Sequence, residues 1–282
     1  MSGSTQKETG RREGAGSVMR PVRRVRGSDE RELEDHIAEE VPVGFVYNGE
    51  PFAVMMATPA DLTDFAIGFA LSEGIVESPG DVTFEGIDEL IEGLQLRLRI
   101  PEARAKALEA RRRSMSGRSC CGVCGSELLE AAMRWPAPVR ADPRVSVQAL
   151  RRALGELKSA QAINARTGAT HAAGWASLDG ALQLAREDVG RHNALDKLIG
   201  AMHAAGHDPA DGFLVVTSRA SYEMAMKAAS VGIALMAAVS APTALAISLA
   251  DRANLTLIGF TRPDGHAIYT HGERLVEAPR QS

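Results

Sequence analysis

The rhythm of apolar and polar positions changes repeatedly along this chain. EEVPVGFVYNGEPFAVMMATP reads as two strands around a tight Asn48-Gly49 turn. ADLTDFAIGFALSEGIV follows with Leu62, Phe65, Ala66 and Phe69 at helical spacing. The second half of LIEGLQLRLRI alternates as a strand does, and Pro101 opens a helix over PEARAKALEARRRS. ELLEAAMR reads as a short helix, and Pro138 and Pro143 mark APVRADPRV as a linker. SVQALRRALGELKSAQ predicts another helix, and THAAGWASL and ALQLARED predict a hairpin around Asp179-Gly180. The period then switches regularly. GRHNALDKLIGAMHAAG, SYEMAMKAASVGIA and TALAISLADRAN read as helices, interleaved with strands GFLVVTS, MAAVSA and LTLIGFTR. Such alternation predicts an α/β layer fold on a partly parallel sheet.

Composition narrows this picture. The 282 residues are 45% apolar but only 4% aromatic, so the core is built from Ala, Val, Leu, Ile and Met. A net charge of −4 supplies no global basic field for nucleic acid or anionic lipid. Residues 1–34 read as a disordered basic tail, with Lys7, Arg11, Arg12, Arg20, Arg23, Arg24 and Arg26 among Gly and Ser. No apolar run follows them, so a signal peptide is not expected. Ala228 to Ala250 carries no charge, yet Gly232 and Pro242 divide it into a helix end, a strand and a new helix rather than a membrane span. The expected location is the cytoplasm, where cysteines stay reduced.

The three cysteines, Cys120, Cys121 and Cys124, all lie in RSCCGVCG. A structural zinc needs four ligands, and no second C-x-x-C pair exists. A thioredoxin-like exchanger would set the pair between a strand and a helix, whereas Gly117, Gly122 and Gly125 loosen this segment. Arg111, Arg112, Arg113 and Arg118 lie just upstream, and positive neighbours raise the thiolate fraction. A thiolate with reach suits a group that accepts a sulfur atom and hands it on.

Further stretches point to an anion site. In EDVGRHNALDKLIG, Gly190 precedes a helix whose first turn carries Arg191, His192 and Asn193, and free N–H groups at a helix start attract anions. Asp188 reads as the helix cap, and Asp196 and Lys197 as a solvated face. In VVTSRASYEMAMK, Ser218, Arg219 and Ser221 follow a strand at the position where ligands bind in open α/β sheets, with Lys227 read as surface. Phe260, Thr261, Arg262, Pro263, Asp264 and Gly265 close the last predicted strand as a candidate ligand loop. Thr170 and His171 precede the strand after Gly168 and complete the set.

Taken together, CGVCG, TGATHAA, EDVGRHNALDKLIG, SRASYEM and NLTLIGFTRP, in this order, resemble the formate dehydrogenase accessory sulfurtransferases. EVPVGFVYNGEP and DLTDFAIGFALSEGIV fit as well, so the resemblance runs from about Glu40 to Leu275. It implies a sulfurtransferase that takes persulfide sulfur from a cysteine desulfurase and passes it to the molybdenum or tungsten of a bis(molybdopterin guanine dinucleotide) cofactor. That cofactor is a bound substrate destined for formate dehydrogenase, and no intrinsic metal is expected. Cys121 becomes the persulfide carrier and Cys124 its relay partner. Phe260 to Gly265, Arg191, His192, Ser218, Arg219, Thr170 and His171 become the cofactor contacts.

The implied fold has an N-terminal α+β subdomain over residues 35–137, with a mobile C-x-x-C loop at about 114–126. A cytidine-deaminase-like three-layer α/β domain follows over residues 138–282. Deaminases hold zinc with H-x-E and P-C-x-x-C at two successive helix starts. Here those starts read RHN and SRASYE, so the ligands are gone and an anion pocket takes their place. The resemblance also implies a homodimer. A non-enzymatic chaperone that binds and delivers the cofactor is the alternative.

Overall fold

The computed structural model describes residues 16–116 and 133–277, with the backbone alone for 111–116. Strands β1 (Ser17–Arg26) and β2 (Asp29–Ala38) pair antiparallel over ten residues each. The expected tail to residue 34 is therefore corrected: residues 17–34 lie in this hairpin. Its basic first strand faces an acidic second one, with Arg24 2.6 Å from Asp35 and Arg23 paired to Glu30. Reading the arginines alone as a solvated run missed the complementary acids ten residues on.

Next, β3 (Val41–Tyr47), β4 (Glu50–Ala57), β5 (Thr83–Leu90) and β6 (Gly93–Arg99) form a sheet in the order β4-β3-β6-β5. Asn48 and Gly49 both take positive φ, as a two-residue hairpin turn requires. One face of this sheet packs on helix α1 (Leu62–Ser72), with the Phe45 and Phe69 rings stacked at 4.3 Å and Phe65 edge-on to Phe45. Helix α2 (Glu102–Ser116) starts just after Pro101 and leads toward the thiol stretch.

The second half is built on six strands. They are β8 (His171–Ser177), β9 (Leu182–Asp188), β10 (Gly212–Val216), β11 (Leu235–Ala238), β12 (Thr256–Arg262) and β13 (Gly265–Thr270), in the order β13-β12-β11-β10-β8-β9. β10, β11 and β12 run parallel, and the others are antiparallel to their neighbours. Alternation decides the layers. Phe213 and Val215 point to helix α3 (Val147–Ala160), which is followed by the short α4 (Ala162–Thr167). Leu214 and Val216 point to α5 (Arg191–Ala204), α6 (Tyr222–Ser230) and α7 (Ala244–Arg252) on the other face. β7 (Val145–Ser146) and β14 (Leu275–Val276) pair beside α3. β13 was not expected from the pattern, so the Phe260–Gly265 stretch is a hairpin turn rather than a chain end.

The two halves meet where α1 crosses α5. A Cβ on Gly68 would overlap the Asp196 carbonyl, and one on Gly200 would overlap the Asp64 backbone. The helices therefore approach backbone to backbone, which only glycine permits.

Around this crossing lie charges that the sequence reading put in solvent. Asp196 and Lys197 are completely buried and Lys227 nearly so, a correction to their reading as solvated face and surface. Lys197 Nζ lies 2.6 Å from Asp188 and donates to the Thr58 carbonyl at 2.9 Å. Lys227 Nζ donates to both Asp196 oxygens at 2.9 and 3.0 Å, and to Glu73 at 2.7 Å. Burial pushes the Lys197 ammonium below its ordinary value and Asp188 resists this. Burial likewise works against the Lys227 charge, but Asp196 and Glu73 outweigh it and hold that ammonium above its usual range. Asp188 is thus not a helix cap in the expected sense. It receives Gly190 N–H at 2.8 Å, yet its other oxygen holds Lys197.

Gly200→Ala is expected to destabilise the chain by about 3 kcal/mol or more, because overpacking at a backbone crossing leaves no side chain to yield. Gly155→Ala, on the exposed face of α3 with open space around it, is expected to stabilise by about 0.5–1 kcal/mol. Urea midpoints of the two variants against wild type check both signs.

Candidate functional site

β10, β11 and β12 all end at one sheet edge, where β8 begins and β9 ends. This edge gathers Thr170 and His171, the Gly190–Asn193 stretch, Ser218 to Ser221 and the Phe260–Gly265 turn. Three helices start here. Thr243 caps α7 through a bond from Ala246 N–H at 3.2 Å. The starts of α5 and α6 carry no side-chain cap at Gly190 or Ser221. Their first N–H groups and dipole ends face the crevice, a preformed anion attractor.

The two uncapped starts lie side by side. His192 Nε2 is 2.7 Å from Glu223 and 3.5 Å from Ser221 Oγ, which ties the first turn of α5 to that of α6. Burial pushes the His192 ring below its ordinary value, the Glu223 carboxylate opposes this, and Arg191 reinforces it. Burial also lowers His171, with Arg191 adding to the effect.

Two polar atoms at this edge are buried without a partner, Arg191 Nε and Thr261 Oγ1. Unpaired buried polar groups cost about 1–3 kcal/mol, so a ligand that satisfies them has a ready gain. Among the described residues no carboxylate forms an ion pair with Arg191, Arg219 or Arg262. Arg219 and Arg262 are exposed, and so is Phe260, whose backbone adopts a φ of 50° while its N–H bonds to the Ser240 carbonyl at 3.2 Å. That conformation is uncommon for a bulky residue and holds the ring out beside the crevice. Pro263 and Asp264 form the turn between Arg262 and Gly265.

Not every predicted residue is free to meet a ligand. Thr170 Oγ1 donates to Glu187 at 2.9 Å, and Ser218 Oγ donates to the Arg219 carbonyl at 3.0 Å. Glu187 also receives the Ile163 and Asn164 N–H groups at 2.8 Å, so it caps α4 from a distant strand. Cys121 and Cys124 lie outside the described residues, as does Cys120. Glu223 was missed by the sequence reading. Its signal was an acid in the first turn of the helix beside a histidine-bearing one. Among the described residues no three His, Cys, Asp or Glu side chains gather as a metal site. No described helix is long and apolar enough to cross a membrane.

Comparison with known proteins gives four findings. The family model described as FdhD/NarQ matches residues 38–276. A protein named sulfur carrier protein FdhD from Xanthomonas campestris pv. campestris is 59% identical over 260 residues, covering 92% of each chain. One of the same name from Cupriavidus necator is 53% identical over 241 residues, covering 86% of this chain and 84% of its own. The fold matches a crystal structure of a protein described as a formate dehydrogenase accessory protein from Desulfotalea psychrophila. The TM-score is 0.72 at 23% identity, covering 93% of this chain and all of that one.

Both edge histidines are held below 6.5, so the unfolded chain takes up protons first as pH falls. Their contribution to stability is present above that value and is lost as pH drops through the folded values. Denaturation midpoints should fall from pH 7.5 to 5, and His192→Gln should flatten that decline.

Proposed function

The chain belongs to the FdhD/NarQ family, and on that premise we propose how the work of a sulfur carrier divides between its two halves. The protein is a sulfurtransferase of formate dehydrogenase maturation, relaying persulfide sulfur toward the molybdenum cofactor. In our reading, residues 35–137 carry the thiols and residues 138–282 hold the cofactor in a cytidine-deaminase-like layer. The three-layer arrangement supports this, as does the contact of His192 with Ser221, which brings the two helix starts together. The protein works in the cytoplasm as a homodimer on this reading.

The chemistry starts with the Cys121 thiolate. It attacks the terminal sulfur of a persulfide on a cysteine desulfurase, forming an S–S bond and releasing the donor's thiolate. Delivery then has two balanced routes. The S–S pair can stay with Cys121, so that sulfur leaves as a neutral atom and takes two electrons from the metal it joins. Alternatively Cys124 attacks the inner sulfur, closes a disulfide with Cys121 and releases hydrosulfide, the two thiols supplying the electrons. Family membership supports these cysteine roles.

The observation that carries the cofactor site is the pair of uncapped helix starts beside the unpartnered Arg191 Nε and Thr261 Oγ1. An anionic guanine dinucleotide fits this donor set: phosphates on the helix starts, with Arg191, Arg219 and Arg262 as counter-charges and Phe260 as an exposed ring for a base face. His171 and His192 complete the wall. Pro263, Asp264 and Gly265 fix the turn that presents Arg262.

Two measurements test this. Incubation with a cysteine desulfurase and labelled cysteine should place sulfane sulfur on the wild type, and Cys121→Ala should abolish it. Undiminished label in that variant removes Cys121 as carrier. Separately, Arg191→Ala should weaken GDP binding by about 10- to 150-fold, the value of a charge-assisted bond of about 1.5–3 kcal/mol. Binding unchanged in titration calorimetry would sink the phosphate assignment.

A further inference from the structure

Chain order places Arg134 ten residues after Cys124, just as the described chain resumes. Its surroundings are unusually complete for such a position. The Tyr222 hydroxyl accepts the Arg134 N–H at 2.6 Å and donates to the Arg134 carbonyl at 2.8 Å, so one side chain grips both backbone groups of one residue. The Arg134 guanidinium donates to the Glu73 carboxylate at 2.8 Å, to the Glu73 carbonyl and to the Ser72 carbonyl at 3.4 Å. Next along the chain, Trp135 sets its ring edge-on to Tyr222 at 6.4 Å, with the Arg252 guanidinium 4.5 Å over it.

The place of Tyr222 gives this grip its meaning. It is the first residue of α6, between Ser221 and Glu223, the two residues that meet His192. The root of the cysteine stretch is thus bonded to the helix start that forms half of the anion site.

We propose that Tyr222 and Arg134 form a clamp that roots the cysteine stretch beside the anion site, making both positioning residues for the delivery of sulfur. This rests on the sulfur-carrier reading above. A purely structural role does not require the clamp, because the same chain is anchored again five residues on. There Val139 N–H bonds to the Ala253 carbonyl at 2.8 Å, and Asn254 Nδ2 donates to the Val139 carbonyl at 2.7 Å. With the two hydroxyl bonds gone, the next backbone anchor after Cys124 lies at Val139, beside the end of α7 rather than the start of α6.

Tyr222→Phe tests the clamp. It keeps the ring on Trp135 and removes only the two hydroxyl bonds. Sulfur uptake from a cysteine desulfurase with labelled cysteine should be unchanged, because loading takes place on the donor. GDP affinity should stay within twofold. The single-turnover rate of handing loaded sulfur to the molybdenum cofactor bound by this protein should drop at least twofold. Arg134→Lys, which keeps the backbone bonds to Tyr222 and the charge opposite Glu73, should stay close to wild type. Delivery at the wild-type rate in Tyr222→Phe overturns the clamp. Loading, GDP binding and delivery falling together with the melting temperature also overturns it, as that marks a stabilising residue only. If wild type itself takes up no sulfur, the carrier reading falls and the clamp with it, an outcome visible before any variant is made.

Discussion

The contact between α1 and α5 is the constraint around which the rest is arranged. Gly68 and Gly200 bring the two helix backbones together, and that closeness seals Lys197, Asp188, Asp196 and Lys227 away from water. Buried ions are expensive to desolvate, and the enclosed pairs return that cost only when every partner is present. Each pair is tied by hydrogen bonds or a further ion pair to residues of the N-terminal half. The Lys197–Asp188 pair also takes in Thr58 from the N-terminal half, and the Lys227–Asp196 pair takes in Ser72 and Glu73. The polar network therefore specifies how the halves sit, while the apolar layers on either side supply bulk stability.

That arrangement reaches the site directly. Asp188 holds Lys197 with one oxygen and, with the other, takes the Gly190 N–H and the Asn193 amide at the start of α5. Since Asp188 fixes the turn from outside the helix, no side chain needs to cap α5, and its first N–H groups stay open toward the crevice. The buried ion pair and the exposed anion site share one carboxylate.

Much of this was legible in the sequence. Period switching identified the helices and strands of the second half, because buried parallel strands and amphipathic helices leave different rhythms. The shared edge followed from the parallel order, and it gathered Arg191, His192, Arg219 and Arg262 as expected from their place after strands. What escaped were interactions between distant residues. Asp196 and Lys197 looked like a solvated face because charge is usually outside. Yet they stand in NALDKLIGAM, apolar on every side, and a helix apolar all round is buried. The β1–β2 hairpin escaped because its strands carry charge rather than alternation, and its stability comes from pairing of opposite signs. Glu187 and Arg134 have no local motif at all, since their partners lie at least seventeen and more than sixty residues away.

The crossing of α1 and α5 also sets a schedule for synthesis. Thr58 meets Asp188 across 130 residues. At about 5–20 residues per second, a ribosome takes roughly 7–26 s to make that stretch. Throughout that time the nascent α1 shows the glycine-flattened face and the serine and glutamate that will later enclose ions. A chain halted in that interval presents a surface made for a partner not yet translated, which is the kind of surface that trigger factors and general chaperones hold.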